Sequence, residues 1–266
     1  MTAPKTPSID LNCDLGESFG NYKCGMDEEI LPCITSANVA CGFHASDPLV
    51  MQKTVRIAGE NHVHIGAHPG FQDLVGFGRR SMSLPAEEIT AIVEYQIGAL
   101  SAFCTANGVR LQHVKPHGAL YNMAVKDSVI AEAICEGIAA IDKHLILLGP
   151  AHSQLLLAAE KYGLPTAKEF FADRAYEEDG TLVPRSKPGA VIGNQAEAIG
   201  RVIKMIKEGT VTAITGKEIP AEADSICIHG DNPAAVAFAR SIHDALQTEG
   251  IRIAPMDDIV RSAGGC

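Results

Sequence analysis

Short apolar segments, each closed by a polar residue beside Gly or Pro, alternate with capped helical segments along nearly the whole chain. This rhythm limits the possible folds more than any other feature. Strand-like runs stand at 9–13, 37–41, 62–67, 111–114, 144–148, 167–171 and 225–229, with 251–254 as a shorter eighth. Such short runs, bounded by turn residues, suit strands covered on both faces. Helix signals lie between them. Asp47-Pro48 opens a helix that Gly59 ends, and Ser83 with Pro85 opens one that stops at Asn107-Gly108. Asp127, Asn194 and Asn232-Pro233 open three more, over 128–142, 195–208 and 234–248. Repeated β-then-α units without a change of composition imply a parallel sheet. Only 210–215 breaks the rhythm, as a hairpin or excursion.

An open doubly wound sheet gathers its functional residues at one switch point. Here polar residues follow nearly every strand: Asp14, His44, His68, His117, Asp173 and His229. The loops at the C-terminal rim of a barrel would bring all of them together. The expected fold is α/β, a single (β/α) barrel of seven or eight mostly parallel strands over residues 1–266, with a flexible stretch at 1–8 and a loose tail at 259–266.

Composition excludes several classes. A net charge of −10 in 266 residues argues against a nucleic-acid surface, which needs a basic patch. The first eight residues carry no apolar signal region, and runs such as 145–148 are too short to cross a bilayer, so a cytoplasmic protein without a membrane partner is expected. None of the eight cysteines forms a Cys-x-x-Cys pair, so no structural zinc site is expected. Cys13, Cys41 and Cys227 lie in apolar segments and read as small buried hydrophobes, in preference to a nucleophilic Cys13 or Cys41. Six residues separate Gly209 from Gly216, and Glu218 replaces the Ser or Thr that a phosphate loop requires. The chain also lacks a Gly-x-Gly-x-x-Gly turn after its first strand and a Gly-x-Ser-x-Gly elbow.

The remaining polar groups suit acid–base or metal-assisted attack by water on a small anionic amide or ester. Asp10, Asn12 and Asp14 alternate on one face of the first strand, with Glu17 just beyond. Asp14, His44 and His68 form a plausible carboxylate–imidazole set for a divalent metal, although Asp10 and Asp14 can also serve as an ion-pair partner and a turn cap. Lys115 and His117 alternate within Val-Lys-Pro-His-Gly, where Lys115 suits an oxyanion or carboxylate and His117 suits proton transfer. Asn12, Glu17, Arg79, Tyr121, Asn122, Arg174, Asp231 and Asn232 are candidate substrate contacts, and Asp173 is placed to pair with Lys115 or orient a histidine. His62 and His64 read as packing residues.

Six blocks together resemble the LamB/YcsF family: DLNCDLGESFG (10–20), SANVACGFHASDP (36–48), GAHPG with GFGRR (66–70 and 76–80), VKPHGALYN (114–122), EFFADRAY (169–176) and CIHGDNP (227–233). They span nearly the whole chain. The resemblance implies a barrel related to the glycoside hydrolase and metal-dependent deacetylase barrels. It also implies ATP-dependent opening of the five-membered lactam 5-oxo-L-proline to L-glutamate, carried out with partner subunits B and C. The missing phosphate loop agrees with this, since nucleotide chemistry can then sit in a partner. On this reading the partners activate the lactam carbonyl by phosphorylation, Asp14 and His117 position water, and Lys115 and Arg174 bind the carboxylate or developing oxyanion. The rival readings are a stand-alone metal-dependent amidase or deacetylase and a non-catalytic lactam-binding subunit.

Overall fold

Seven parallel strands close on themselves. They are β1 (Ser8–Leu15), β2 (Ser36–Ala40), β3 (His64–His68), β4 (Leu111–Val114), β5 (Ile146–Pro150), β6 (Thr166–Phe171) and, after a two-stranded excursion β7 (Thr210–Thr212) and β8 (Glu218–Pro220), β9 (Ser225–Ile228). Each pairs with the next, and β9 pairs with both β6 and β1, which closes the barrel. The computed structural model describes residues 6–230 and 232–263.

The eighth candidate strand does not join this ring. β10 (Arg252–Ile253) pairs only with Ser8 and Ile9, below the level where β9 takes over at Asp10. The break at 210–215 is an antiparallel hairpin, as one of its two readings had it. Two strands start later than the apolar pattern suggests. His62, at φ +58, belongs to the turn after a helix, and the His144 amide donates to Asp142 Oδ1 in another turn. His62 is therefore exposed, and His64 is half-buried against Gln112; neither is a core packing residue.

Nine α-helices follow in chain order among the described residues: α1 (Asp27–Ile30), α2 (Pro48–Glu60), α3 (Ala86–Ala106), α4 (Gly118–Ala124), α5 (Ser128–Ile141), α6 (Gln154–Tyr162), α7 (Gln195–Glu208), α8 (Pro233–Thr248) and α9 (Met256–Ala263). The caps read from sequence are present: Asp47 accepts from the Leu49 and Val50 amides, and Asp127 from those of Val129 and Ile130. α3 is long and apolar enough to cross a membrane by length and composition, yet Ile89, Val93, Ile97 and Leu100 put a stripe of one residue per turn into the core. Residues 259–263, expected as part of a loose tail, complete α9, whose Met256 and Ile259 are buried. At the other end Ser8, expected in the flexible stretch, is part of β1, and residues 1–5 and 264–266 lie outside the described residues.

Candidate active site

The alternation read in β1 carries Asp10, Asn12 and Asp14 into the barrel interior. Asp10 lies deepest, fully buried. Its carboxylate accepts from Thr35 Oγ1 (2.7 Å), Ser36 Oγ (2.6 Å) and Ser225 Oγ. Burial outweighs these three donors and pushes Asp10 up to about 6. Above it, Asn12 donates to Ser225 Oγ at 2.7 Å, and its Oδ1 accepts from Asn38 Nδ2 at 2.8 Å. Asp14 reaches the rim, where it faces a cavity of about 880 Å³ lined also by Glu17, His68, Arg79, Lys115, His117, Asp173 and His229.

Lys115 crosses the barrel mouth just after β4. Its Nζ lies 3.0 Å from Asp14 Oδ1, 2.8 Å from Glu169 Oε1 and 3.2 Å from Asn12 Oδ1. Burial disfavours the ammonium, but the Asp14 and Glu169 carboxylates outweigh it and hold Lys115 well above the usual lysine range. Burial would likewise raise Asp14, and the facing His68 and Lys115 reverse this, holding its carboxyl well below the usual range. The acidic partners of Lys115 are thus Asp14 and, on β6, Glu169, rather than Asp173. Asp173 Oδ2 instead takes His229 Nδ1 at 3.1 Å, while its buried Oδ1 has no hydrogen-bond partner among the described residues.

Three histidines converge on the other side of the mouth. His44 stacks on His117 with ring centroids 3.7 Å apart, and His68 meets His117 edge-on. Two backbone carbonyls fix the tautomers. His68 Nδ1 lies 2.7 Å from the Lys115 oxygen, and His117 Nε2 lies 2.8 Å from the Phe77 oxygen. A carbonyl only accepts, so each of these nitrogens carries its hydrogen. His68 Nε2 and His117 Nδ1 therefore present lone pairs to each other at 2.9 Å whenever both rings are neutral. A proton or another cation has to sit with them. Burial opposes the proton: together with the neighbouring His68 it pushes His117 down to about 3, and it holds His44 well below the usual imidazole range.

Both ring nitrogens of His44 are buried without a hydrogen-bond partner among the described residues. Glu17 Oε1 lies 3.8 Å from His44 Nε2 and 4.0 Å from His117 Nδ1. Glu17, His44, His68 and His117 together offer ligand atoms all within 4.8 Å of one another. This set fits a divalent cation, with backbone carbonyls orienting two of the imidazoles from behind. It differs from the expected ligands Asp14, His44 and His68: Glu17 and His117 join the two histidines, and Asp14 stands beside them, 3.3 Å from His68 Nε2. The loop that shapes the cluster is strained and tight. Phe77 adopts φ +54 while its carbonyl holds His117, and a Cβ on Gly78 would lie 2.7 Å from His44 Cβ and 2.8 Å from His117 Cδ2.

Other residues singled out from sequence have different surroundings. Tyr121 is buried, and its hydroxyl donates to Glu169 Oε2 at 2.6 Å. Arg174 Nε and Nη2 donate to the carbonyls of Ala190 and Val183, so this guanidinium braces its own loop while lining the cavity. Asn232 Oδ1 caps α8 through the Ala235 amide. Asn122 and Arg79 are exposed at the cavity wall, with the Arg79 guanidinium 5.1 Å from the Phe77 ring centre. Asp231 lies outside the described residues. Cys13, Cys41 and Cys227 are buried neutral thiols, Cys41 pushed up to about 12 by burial. Glu169, Asn38 and His113 escape a reading of strand ends alone. Their signal is a polar residue in the body of a short strand, before its C-terminal end.

The LamB/YcsF family model matches residues 9–261. The chain belongs to the LamB/YcsF family. It is 59% identical to a Clostridium beijerinckii protein named as the A subunit of 5-oxoprolinase, over 94% of this chain and 98% of that one. It is 54% identical to the Bacillus subtilis protein of the same name, over 94% and 97%. Among solved structures, the lactam utilization protein of Thermus thermophilus superposes with a TM-score of 0.89 at 47% identity, covering 92% of this chain and 98% of that one. A putative cellobiose-phosphate cleavage protein from Enterococcus faecalis shares the fold at a TM-score of 0.56 and 13% identity, over 96% and 99%.

Proposed function

We propose that this chain is the lactam-opening subunit of a cytoplasmic, ATP-dependent 5-oxoprolinase, which converts 5-oxo-L-proline to L-glutamate in a complex with subunits B and C. The observation that carries this reading is the convergence, at one cavity, of a carboxylate kept ionised (Asp14), a carboxylate-oriented imidazole (Asp173–His229) and His68 with His117, behind which His44 is stacked. The near full-length identity to proteins named as the 5-oxoprolinase A subunit supports the substrate.

An unstrained lactam is a poor electrophile and its product can recyclise, so coupling to ATP is physically reasonable. The partners activate the carbonyl by phosphorylation, and water attacks it in this cavity. The carbon–nitrogen bond breaks to leave the γ-carboxyl as an acyl phosphate, which a second water hydrolyses to glutamate and inorganic phosphate. Asp14 Oδ2 accepts the hydrogen bond that orients the water. Its Oδ1 is already engaged by Lys115 and Asn38. His229, oriented by Asp173, supplies the proton that the ring nitrogen needs when its bond to carbon breaks. The buried Asp173 Oδ1 is an acceptor for the lactam N–H. Lys115 is occupied by two carboxylates and Arg174 by two carbonyls, so the substrate carboxylate is assigned to Arg79. His117 has both nitrogens committed and holds a cation rather than positioning water.

Glu17, His44, His68 and His117 would hold that cation, a divalent metal. When bound it would act as a Lewis acid toward oxygen. The deciding experiment is glutamate release from 5-oxo-L-proline, with and without ATP and the two partners. Release only when ATP and both partners are present supports the proposal, and turnover by this chain alone with ATP contradicts the division of labour. Hydrolysis of an N-acetyl sugar with added Zn²⁺ or Mn²⁺, and without partners, would favour the stand-alone deacetylase.

A further inference from the structure

Adjacent positions on four strands form one row across the barrel. Asp14 pairs with Asn38, Asn38 with Gly66 and Gly66 with His113. A glycine in a strand interior weakens it and commonly marks a close approach. Here a Cβ on Gly66 would lie 2.2 Å from His113 Nε2, and the β3–β4 register shifts between Ile65 and Gly66. The fold thus gives up a side chain and regular pairing so that one imidazole, with no exposed surface, can pass over β3 and reach Asn38.

The contacts of Asn38 assign the hydrogens at its end of the row. Asn38 Nδ2 faces Asn12 Oδ1 at 2.8 Å and Asp14 Oδ1 at 2.9 Å. The Asp14 carboxylate only accepts, and Asn12 Oδ1 is fixed as oxygen by the Lys115 ammonium at 3.2 Å. The other end of the Asn38 amide is therefore its oxygen, and it lies 2.7 Å from His113 Nε2, which must donate. His113 Nδ1 faces the Gln112 side chain at 3.0 Å, and Nε2 carries a hydrogen whether or not Nδ1 does, because Asn38 Oδ1 only accepts. Burial and Lys115 push His113 down to about 3.

We infer that His113 is a positioning residue: through Nε2–H it locks the Asn38 amide, whose two hydrogens then hold Asn12 and Asp14 in the arrangement that turns Asp14 Oδ2 to the cavity. This rests on the catalytic reading of Asp14 given above. Replacing His113 by Asn retains polarity near the Nδ1 position and removes the Nε2 donor, whereas Gln places an amide near Nε2.

In the reconstituted complex, His113→Asn is expected to lower kcat about 10–100-fold, the range seen when an outer partner of a site is lost, with KM little changed. His113→Gln is expected to restore most of the rate. In an Asn38→Ala background His113→Asn should cost nothing further, because the two residues act in series. Wild-type turnover by His113→Asn, equal losses in both His113 variants, or losses additive with Asn38→Ala would each overturn the inference. Should His113→Asn not fold, His113→Met removes the donor at similar volume and carries the same expectations.

A second readout does not depend on turnover. By NMR, the side-chain amide hydrogens of Asn38 should exchange slowly in the wild type and His113→Gln, and rapidly in His113→Asn. Equal protection in all three would overturn the inference even with the activity intact. Absence of glutamate release by the wild-type complex would instead count against the proposed function.

Discussion

Replacing Lys115 by Met tests whether the barrel mouth is held by one buried cation shared between two acids. The ammonium lies 3.0 Å from Asp14 Oδ1 and 2.8 Å from Glu169 Oε1. At an effective dielectric of about 20, each contact contributes roughly 5–6 kcal/mol of gross attraction, most of it offset by desolvation of the buried ammonium. Removing one partner from a buried pair leaves a net loss of about 3–5 kcal/mol, a large part of the stability of an ordinary domain. In the wild type, Asp14 is held below its unfolded value, so its contribution is present above about pH 4 and fades as pH falls through the depressed pKa. In the variant, a buried carboxyl without its cation is raised instead, and such a group loses stability as pH rises through its folded pKa. The difference between the two proteins should therefore be largest near neutral pH and shrink toward about pH 5. Urea unfolding at the two pH values, followed by circular dichroism, measures it. A loss below about 1 kcal/mol at neutral pH, the level of a surface pair, or one that does not change with pH, would refute the reasoning.

Three further outcomes are expected. Gly66→Ala should destabilise by about 1–3 kcal/mol through overpacking against His113, as read by thermal or urea unfolding; an unchanged midpoint would remove His113 from the slot assigned to it. Asp10 should titrate near pH 6 in a ¹³C carboxyl NMR experiment rather than near its ordinary value of 3.8. Because its folded pKa is raised, stability should fall as pH rises from about 4 to about 6, and Asp10→Asn should abolish that fall. Titration calorimetry with Zn²⁺ should give one equivalent bound, with affinity lowered more than about 100-fold in His44→Ala, beyond the effect of losing an outer partner; equal binding by both proteins would refute the ligand set.

The ring of loops was legible because Asp14, His44, His68, His117, Asp173 and His229 each stand at or just past the end of a strand, and closure of the barrel brings strand ends together whatever the exact bounds. The donor set within that ring was not. Glu17 lies three residues beyond Asp14 in a loop whose path the strand period does not determine, so its approach to His44 and His117 had no sequence signal. Lys115 read as an anion binder because a lone lysine at a rim looks available. Glu169, which occupies it, comes from β6, and pairing between β4 and β6 across a barrel leaves no local pattern. Arg174 and Tyr121 had the right chemistry at the right address, but backbone carbonyls and Glu169 take up their donors. α4 and α6 were missed because Gly118 and a nine-residue length dilute the 3.6-residue period. The interior row from Asp14 to His113 depended on register, which periodicity alone does not give.

The most direct test of the account is turnover of 5-oxo-L-proline by the complex carrying Asp14→Asn, measured beside its assembly with the two partners. The account predicts that glutamate release falls at least about 100-fold at saturating substrate, the scale of losing one group that acts on the reacting atoms, while assembly is retained. Unchanged turnover at saturation, with the complex intact, would contradict it and leave this chain as a lactam-binding subunit.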